Sequence, residues 1–289
     1  HIQQDINAFR SSLVYDCIER AMDLVEGGSV YSADGGPTAG TISAGDSLAA
    51  LDEIVFNQKL LTMEQVLHAM STNYEDMETV PAGPEIRAIL LNKAPKFGND
   101  DERADKWVVE LEDYIGSSYR YKYRSSKYGK GPVPCCYSYS QSPVTGNIAF
   151  GKSIGATPDG RKDGQPVNNG ISPANGSEKK GATAACNSVM KLPSIWFQKG
   201  AIFNMRLSKG ALDTDENKEK VIAMIKVLFE NYGQQIQFNV VDNKVFKKAM
   251  EHPDEYKDLM VRVSGYSALF TSLSPECQMD VISRAELEL

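Results

Sequence analysis

The sequence predicts an α/β fold, on three patterns. Apolar residues recur at helical spacing through much of the first 120 positions. Short apolar or alternating runs near 202–207 and 235–240 have the two-residue period of strands, and strand and helix signals take turns along the second half. At 31.8 kDa and 42% hydrophobic residues, the 289 residues suffice for a sizeable core in one large domain or two small ones.

Taken in order, Phe9, Leu13, Val14, Ile18, Met22 and Val25 share one helical face, which predicts a helix over 9–25 stopped by Gly27 and Gly28. Ser29-Val30-Tyr31-Ser32 reads as a short strand with Ser29 and Tyr31 on the same side. The Gly-, Pro- and Thr-rich run 34–45 reads as a loop, followed by helices over 46–56, 63–71, 84–91 and 101–117. Residues 133–200 hold many Gly, Ser, Pro and Asn and few helical periods, so loops and short strands around a site are expected there. Beyond them, 202–207 is a strand, Val221, Met224, Ile225, Leu228 and Phe229 line one face of a helix, and 235–240 alternates like a half-buried strand. Leu259 to Val263 is a further strand, Gly265 and Tyr266 form a tip, and Ser274-Pro275-Glu276 opens a last helix with a capping serine, a proline at the first position and an acid in the first turn.

A net charge of -7 and a pI near 5.2 give no general attraction to nucleic acid or anionic membranes. The basic run 120–130, which interleaves tyrosines with Arg and Lys, reads as a solvated face. No apolar stretch approaches the ~20 residues of a membrane span. Five cysteines without Cys-x-x-Cys or His-x-His spacing argue against a disulfide framework and a metal site, which fits a reducing cytoplasm. Gly146 to Ser153 has the letters of a phosphate loop, Gly-x-x-x-x-Gly-Lys-Ser. That loop needs a buried strand before it and a helix starting at the Lys-Ser pair. Here 137–145 is polar, and Gly155, Pro158 and Gly160 follow closely, so an ordinary loop with an exposed Lys152 is expected over a nucleotide site. The hydroxyls of Tyr137-Ser138-Tyr139-Ser140 offer donors to a polar substrate, and Glu26 a carboxylate. His1 and His68 read as structural or surface residues.

The segment Arg262-Val263-Ser264-Gly265-Tyr266-Ser267-Ala268, followed by Gln278, Asp280, Val281, Ile282 and Arg284, resembles the radical-bearing loop and closing helix of the glycyl radical enzymes. The similarity runs through most of the chain in the family's order: Gly45-Asp46-Ser47-Leu48, 92–100, Gly155-Ala156-Thr157-Pro158-Asp159-Gly160-Arg161, Gly170-Ile171-Ser172-Pro173, 183–189, Gln237-Phe238-Asn239-Val240-Val241-Asp242 and 252–256. Glycine suits that chemistry because its α-carbon loses a hydrogen to give a planar radical, stabilised by the flanking amide nitrogen and carbonyl, with no β-carbon crowding it. The branch that looks most similar holds glycerol dehydratase, choline trimethylamine-lyase and 4-hydroxyphenylacetate decarboxylase.

The resemblance implies the C-terminal half of a ten-stranded α/β barrel, with the Gly265 finger inserted toward its sheltered centre. Residues 1–160 would supply half-barrel helices and substrate-side loops, and 161–289 the glycyl radical domain. In the family the radical passes to a cysteine in a Gly-Cys-x-Glu loop, which does not occur here, so the chain is expected to be the C-terminal portion of a larger enzyme. Cys135-Cys136 matches the reactive pair of pyruvate formate-lyase in type and lies elsewhere in the chain order. Cys186 and Cys277 are expected to pack. The implied catalytic residue is Gly265, with Arg262, Ser264 and Tyr266 holding the loop. Ser29, Tyr31 and Glu26 border the substrate, and there is no metal. No bound cofactor is implied; the radical is installed by an activating enzyme that uses S-adenosylmethionine and an iron–sulfur cluster. The partners are that enzyme, a small-molecule substrate, the missing N-terminal part and further copies in a homo-oligomer. The expected reaction is that of a lyase, decarboxylase or dehydratase breaking a C–C, C–O or C–N bond. A 4-hydroxyphenylacetate decarboxylase-like activity stands first, a glycerol or diol dehydratase-like or choline lyase-like one is the alternative, and a radical-domain repair or binding module is the reading from another class.

Overall fold

The computed structural model describes residues 6–30, 33–121, 136–141, 144–284 and 287. Its elements are α1 (Ala8–Ser12), β1 (Ala33–Pro37), α2 (Thr41–Ala50), α3 (Met63–Ser71), α4 (Gly83–Asn92), α5 (Glu102–Tyr121), β2 (Cys136–Ser140), α6 (Gly146–Lys152), α7 (Gly181–Met190), β3 (Asn204–Arg206), α8 (Asp215–Glu230), β4 (Gln237–Asn239), α9 (Asn243–Glu251), the hairpin β5 (Met260–Arg262) and β6 (Ser267–Leu269), and α10 (Pro275–Ser283).

Four short strands run parallel in series. Ala33 to Pro37 of β1 pair in register with Cys136 to Ser140 of β2, Gln141 bridges to Ala201, and Asn204 to Arg206 of β3 pair with Gln237 to Asn239 of β4. Parallel strands need long crossovers, which the helices supply: α2 to α5 lie between β1 and β2, and α8 lies between β3 and β4. The pairing of β1 with β2 depends on Gly35, because a Cβ there would sit 1.9 Å from the Ser138 carbonyl oxygen. The hairpin β5–β6 is antiparallel, with Val261 opposite Ala268.

Three apolar clusters hold these elements. The largest packs α2, α5, α7 and α8 on the strands through residues such as Ile42, Val108, Tyr139, Phe203, Met205 and Leu228, and draws on both sides of residue 160. A second joins α3 and α4 to the end of α2. The third is small, formed by Phe246, Ala249, Val261, Val263, Phe270 and Val281, and binds α9, the hairpin and α10 into one unit. Local signals place many boundaries: Thr62 and Gln65 form a reciprocal capping box on α3, and Thr214, Asp242 and Ser274 cap α8, α9 and α10.

Four expectations are corrected. The helix over 9–25 is only α1 and a short 3-10 turn at Leu24–Glu26. The backbone turns left-handed at Asp16 and Ala21, and the Asp23 carboxylate accepts hydrogen bonds from the Asn7 amide and the Ser11 hydroxyl, folding the segment on itself. Phe9, Leu13 and Ile18 consequently stay 77%, 74% and 67% exposed. Of the strand expected at 29–32, Ser29 and Val30 lie in a bend and residues 31–32 fall outside the described residues, while β1 at Ala33–Pro37 runs into the stretch read as loop. Helix α2 begins five residues before Asp46, which sits buried in mid-helix with its Oδ1 accepting the Phe97 amide at 2.7 Å. Burial pushes the Asp46 carboxyl up to about 7. Within the stretch read as loops, α6 and α7 are additional helices.

Candidate functional site

The hairpin β5–β6 turns at Ser264–Gly265, closed by the Val263 amide donating to the Tyr266 carbonyl at 2.9 Å. Gly265 has φ +77°, a left-handed conformation that glycine adopts without the penalty of a side chain. The position a Cβ would take lies 3.2 Å from Ile202 Cδ1.

Around this tip the strands present amide side chains. In β4, Gln237 and Asn239 point to one side and Phe238 to the other, the two-residue period of a strand. Asn239 clamps Arg262 at both main-chain groups: its Nδ2 donates to the Arg262 carbonyl at 2.7 Å, and its Oδ1 accepts the Arg262 amide at 2.8 Å. Gln237 Oε1 accepts from the Gly265 amide at 3.1 Å and from Arg262 Nη2 at 3.0 Å. Its Nε2 in turn donates to Asn204 Oδ1 on β3. The Ser264 hydroxyl donates to Asn169 Oδ1 at 2.8 Å, and Asn169 Nδ2 donates to Asn147 Oδ1. Ser264, Asn169, Asn204, Gln237 and Asn239 are all buried, so these bonds face little competition from water.

Helix α10 closes the unit from behind. Arg284, 8% exposed, donates to the Val263 carbonyl at 2.7 Å and pairs with Asp280 at 3.1 Å. Asp280 also accepts from Asn147 and Asn175, and Gln278 donates to the Phe270 carbonyl. Each polar residue of the closing-helix pattern thus has a definite partner in or beside the hairpin.

The structure therefore brings Arg262, Ser264 and Gly265 together. The Arg262 guanidinium also reaches the Ser267 hydroxyl at 3.0 Å. The Tyr266 carbonyl closes the turn, while its side chain is 38% exposed. Gly265 is exposed on the surface of the described residues, while Ser264 beside it is buried.

The expected substrate-side residues do not converge on the hairpin in the same way. The Glu26 carboxylate accepts the Asp23 amide in a capping box, which accounts for its position. Ser29 is buried, and Tyr31 lies outside the described residues. The hydroxyl run serves the core: Ser138 and Ser140 are buried, and Tyr139 donates to Glu112 at 2.5 Å. Glu112 also accepts from Thr41 and Gln141, and burial raises its carboxyl above the usual range. His68 pairs with Asp76 on the surface, and His1 lies outside the described residues.

Helix α6 occupies the phosphate-loop letters themselves, so Lys152 falls at the helix's last turn, where it pairs with Glu276 at 2.6 Å. A cradle for phosphate requires the opposite polarity. Cys186 is buried on α7, and burial pushes its thiol up to about 12. Cys277 is half-buried in α10, Cys135 lies outside the described residues, and Cys136 opens β2. Gln237, Asn239, Asn169 and Asn204 are the loop-holding residues that reading the sequence missed. For Gln237 and Asn239 the signals were the alternation at 235–240, which assigns them to a common face without saying which side is buried, and the family-like run 237–242.

Comparison with known proteins bears directly on this hairpin. The family profile described as "Pyruvate formate lyase-like" matches residues 1–150, and that described as "Glycine radical" matches 167–271, which includes Gly265. The probable dehydratase YbiW of Escherichia coli K12 is 38% identical over 278 residues, 96% of this chain and 34% of its own length. The trans-4-hydroxy-L-proline dehydratase of Clostridioides difficile is 35% identical over 280 residues, 96% of this chain and 33% of its own length. Among solved structures, the glycerol-bound B12-independent glycerol dehydratase of Clostridium butyricum superposes with a TM-score of 0.88 at 36% identity, over 100% of this chain and 35% of that one. A Roseburia inulinivorans structure concerned with 1,2-propanediol dehydration gives 0.88 and 36%, over 99% of this chain and 35% of that one. The chain thus spans about a third of the length of the relatives it matches.

Proposed function

The chain belongs to the glycyl radical enzyme family, and from that premise we propose that it is the radical-bearing part of a dehydratase acting on a small vicinal diol, with Gly265 storing the unpaired electron. The observation that carries the reading is the anchoring of the tip. The Gly265 amide, the Ser264 hydroxyl and the Arg262 and Val263 carbonyls each meet a buried or half-buried partner, while among the described residues only Ile202 Cδ1, at 3.2 Å, lies close to where a β-carbon would sit.

In this reading an activating enzyme, equipped with S-adenosylmethionine and an iron–sulfur cluster, breaks one α C–H bond of Gly265 homolytically, and the hydrogen atom leaves with the S-adenosylmethionine-derived radical. The residues of this chain supply what the resulting centre needs: a flexible α-carbon, an amide nitrogen held by Gln237, and no side chain. The centre then takes a hydrogen atom from a cysteine thiol on polypeptide beyond these residues. The thiyl takes one from a hydroxyl-bearing carbon of the diol, the neighbouring hydroxyl leaves as water, and the hydrogen returned to the product radical yields an aldehyde. Diol equals aldehyde plus water, so no outside reductant is consumed.

The relatives favour a dehydratase over the decarboxylase expected first: those compared above act on, or are named for, dehydration. Because Gly265 is exposed here, its shelter comes, in this proposal, from the polypeptide that makes up the rest of the relatives' length, closing a barrel of which β1 to β4 form part of the wall.

The test uses the full-length protein activated without oxygen. A doublet in the electron paramagnetic resonance spectrum, aldehyde formed from propane-1,2-diol, and cleavage at Gly265 when oxygen is admitted are the expected results. Gly265→Ala should show none of them. A radical-containing sample that stays intact in oxygen, or a Gly265→Ala variant that keeps the radical, overturns the assignment.

A further inference from the structure

Gln237 is the buried group whose placement the reaction steps leave unused. It is 6% exposed, and its Oε1 is a point of convergence: the Gly265 N–H donates to it at 3.1 Å, Arg262 Nη2 at 3.0 Å and Gln235 Nε2 at 3.4 Å. Its own Nε2 donates to Asn204 Oδ1, which fixes the orientation of the side-chain amide and leaves the oxygen facing the tip. Gly265 is therefore held through its nitrogen by a side chain from a different strand, β4, whose register on β3 is set by main-chain pairing.

Resting on the assignment of the radical to Gly265, we propose that Gln237 is a positioning residue for the glycyl radical, acting through the Gly265 amide. Losing an α-hydrogen flattens the carbon and asks the flanking amides to align with its half-filled p orbital. The nitrogen side donates electron density into that orbital. An N–H hydrogen-bonded to a buried oxygen is a stronger donor than a free one, because the acceptor's partial negative charge pushes density back onto nitrogen, and low local dielectric strengthens the effect. The same bond makes the nitrogen the fixed pivot about which the tip adjusts when the carbon flattens. Arg262 bears on this indirectly, since its guanidinium shares the oxygen and holds the Gln237 side chain against the tip.

The experiment compares the wild-type full-length protein with Gln237→Met, which keeps the length of the side chain and removes the acceptor. Each is activated anaerobically, and the hyperfine splitting of the doublet and the anaerobic decay of the radical are read, with thermal unfolding as a check on folding. Gln237→Met should shift the splitting and decay about fivefold faster, the factor of one net hydrogen bond. Should Gln237→Met not fold, Gln237→Asn gives the same contrast, because its amide is one methylene too short to reach the Gly265 nitrogen. Wild-type splitting and decay in the acceptor-free or shortened variant overturn the role of Gln237 and leave the radical assignment standing. An activated wild-type protein with no doublet overturns the assignment itself and this inference with it.

Discussion

Arg284→Met tests whether α10 holds the hairpin in place. The guanidinium is buried, donates to the Val263 carbonyl at 2.7 Å and pairs with the buried Asp280 at 3.1 Å. Methionine fills a similar volume and makes neither bond. Removing one member of a buried ion pair costs roughly 3 to 5 kcal/mol, because the remaining charge is left without its partner. Asp280 keeps the Asn147 and Asn175 amides, so the lower end applies, about 3 kcal/mol. The loss is local, since the Arg284 side chain bonds the Arg262 and Val263 carbonyls of the hairpin and Asp280 of its own helix turn. It should appear as opening of the small unit of α9, the hairpin and α10, and not as global unfolding. Hydrogen exchange reads that opening at the Val263 and Phe270 amides, which donate to the Tyr266 and Leu259 carbonyls across the hairpin. A change of about 3 kcal/mol corresponds to roughly 150-fold faster exchange at those two amides, with amides of α5 unaffected. Exchange at Val263 and Phe270 within twofold of wild type would show that the apolar cluster alone holds the hairpin, and would refute the latch.

Two further outcomes follow from the same contacts. The Asp46 carboxyl has a folded-state pKa raised by burial to about 7, so between about pH 4 and 7 the folded protein holds a proton that the unfolded chain has lost, and stability falls as pH rises through that window. Asp46→Asn, which keeps the acceptor for the Phe97 amide, should remove this slope, a change on the order of 2 to 4 kcal/mol across the window seen in thermal melts; an unchanged slope would place the titration elsewhere. Lys152→Ala breaks only an exposed pair with Glu276 and should change stability by less than about 1 kcal/mol, with ATP shifting the melting temperature of neither protein.

What could be read from the sequence follows a physical division between local and non-local information. Capping serines and threonines, the Pro275 start of α10 and the helical stripes of α3, α4 and α5 are local signals, and the elements fall close to where they were expected. The segment 9–25 carries a helical stripe too, but the Asp23 carboxylate competes for the Asn7 amide and the Ser11 hydroxyl, and that long-range closure is invisible to periodicity. β1 was missed because Gly35 and Gly36 look like loop residues, although Gly35 is what lets the backbone pass the Ser138 carbonyl. The arginine and serine of the loop motif were legible; their partners Gln237, Asn239 and Asn169 were not. A buried amide looks the same in sequence as an exposed one.

The same division explains why hydroxyl and amide residues traded roles. The run at 137–140 offers hydroxyls in the pattern of a substrate site, yet Tyr139 and its partners Glu112, Thr41 and Gln141 form a closed set that satisfies a buried carboxylate between α2, α5 and β2. The amides of β3 and β4, unremarkable in composition, converge instead on the tip that carries the motif glycine. A radical loop has to be rigid at its amides while its α-carbon stays free to flatten. Amide side chains meet that demand, because each presents a donor and an acceptor in one fixed plane and carries no charge for a nearby radical or substrate to contend with. The Gly265 amide is thus bound by a neutral group, while the Arg262 guanidinium shares the same Gln237 oxygen and Arg284 holds the Val263 carbonyl behind the tip.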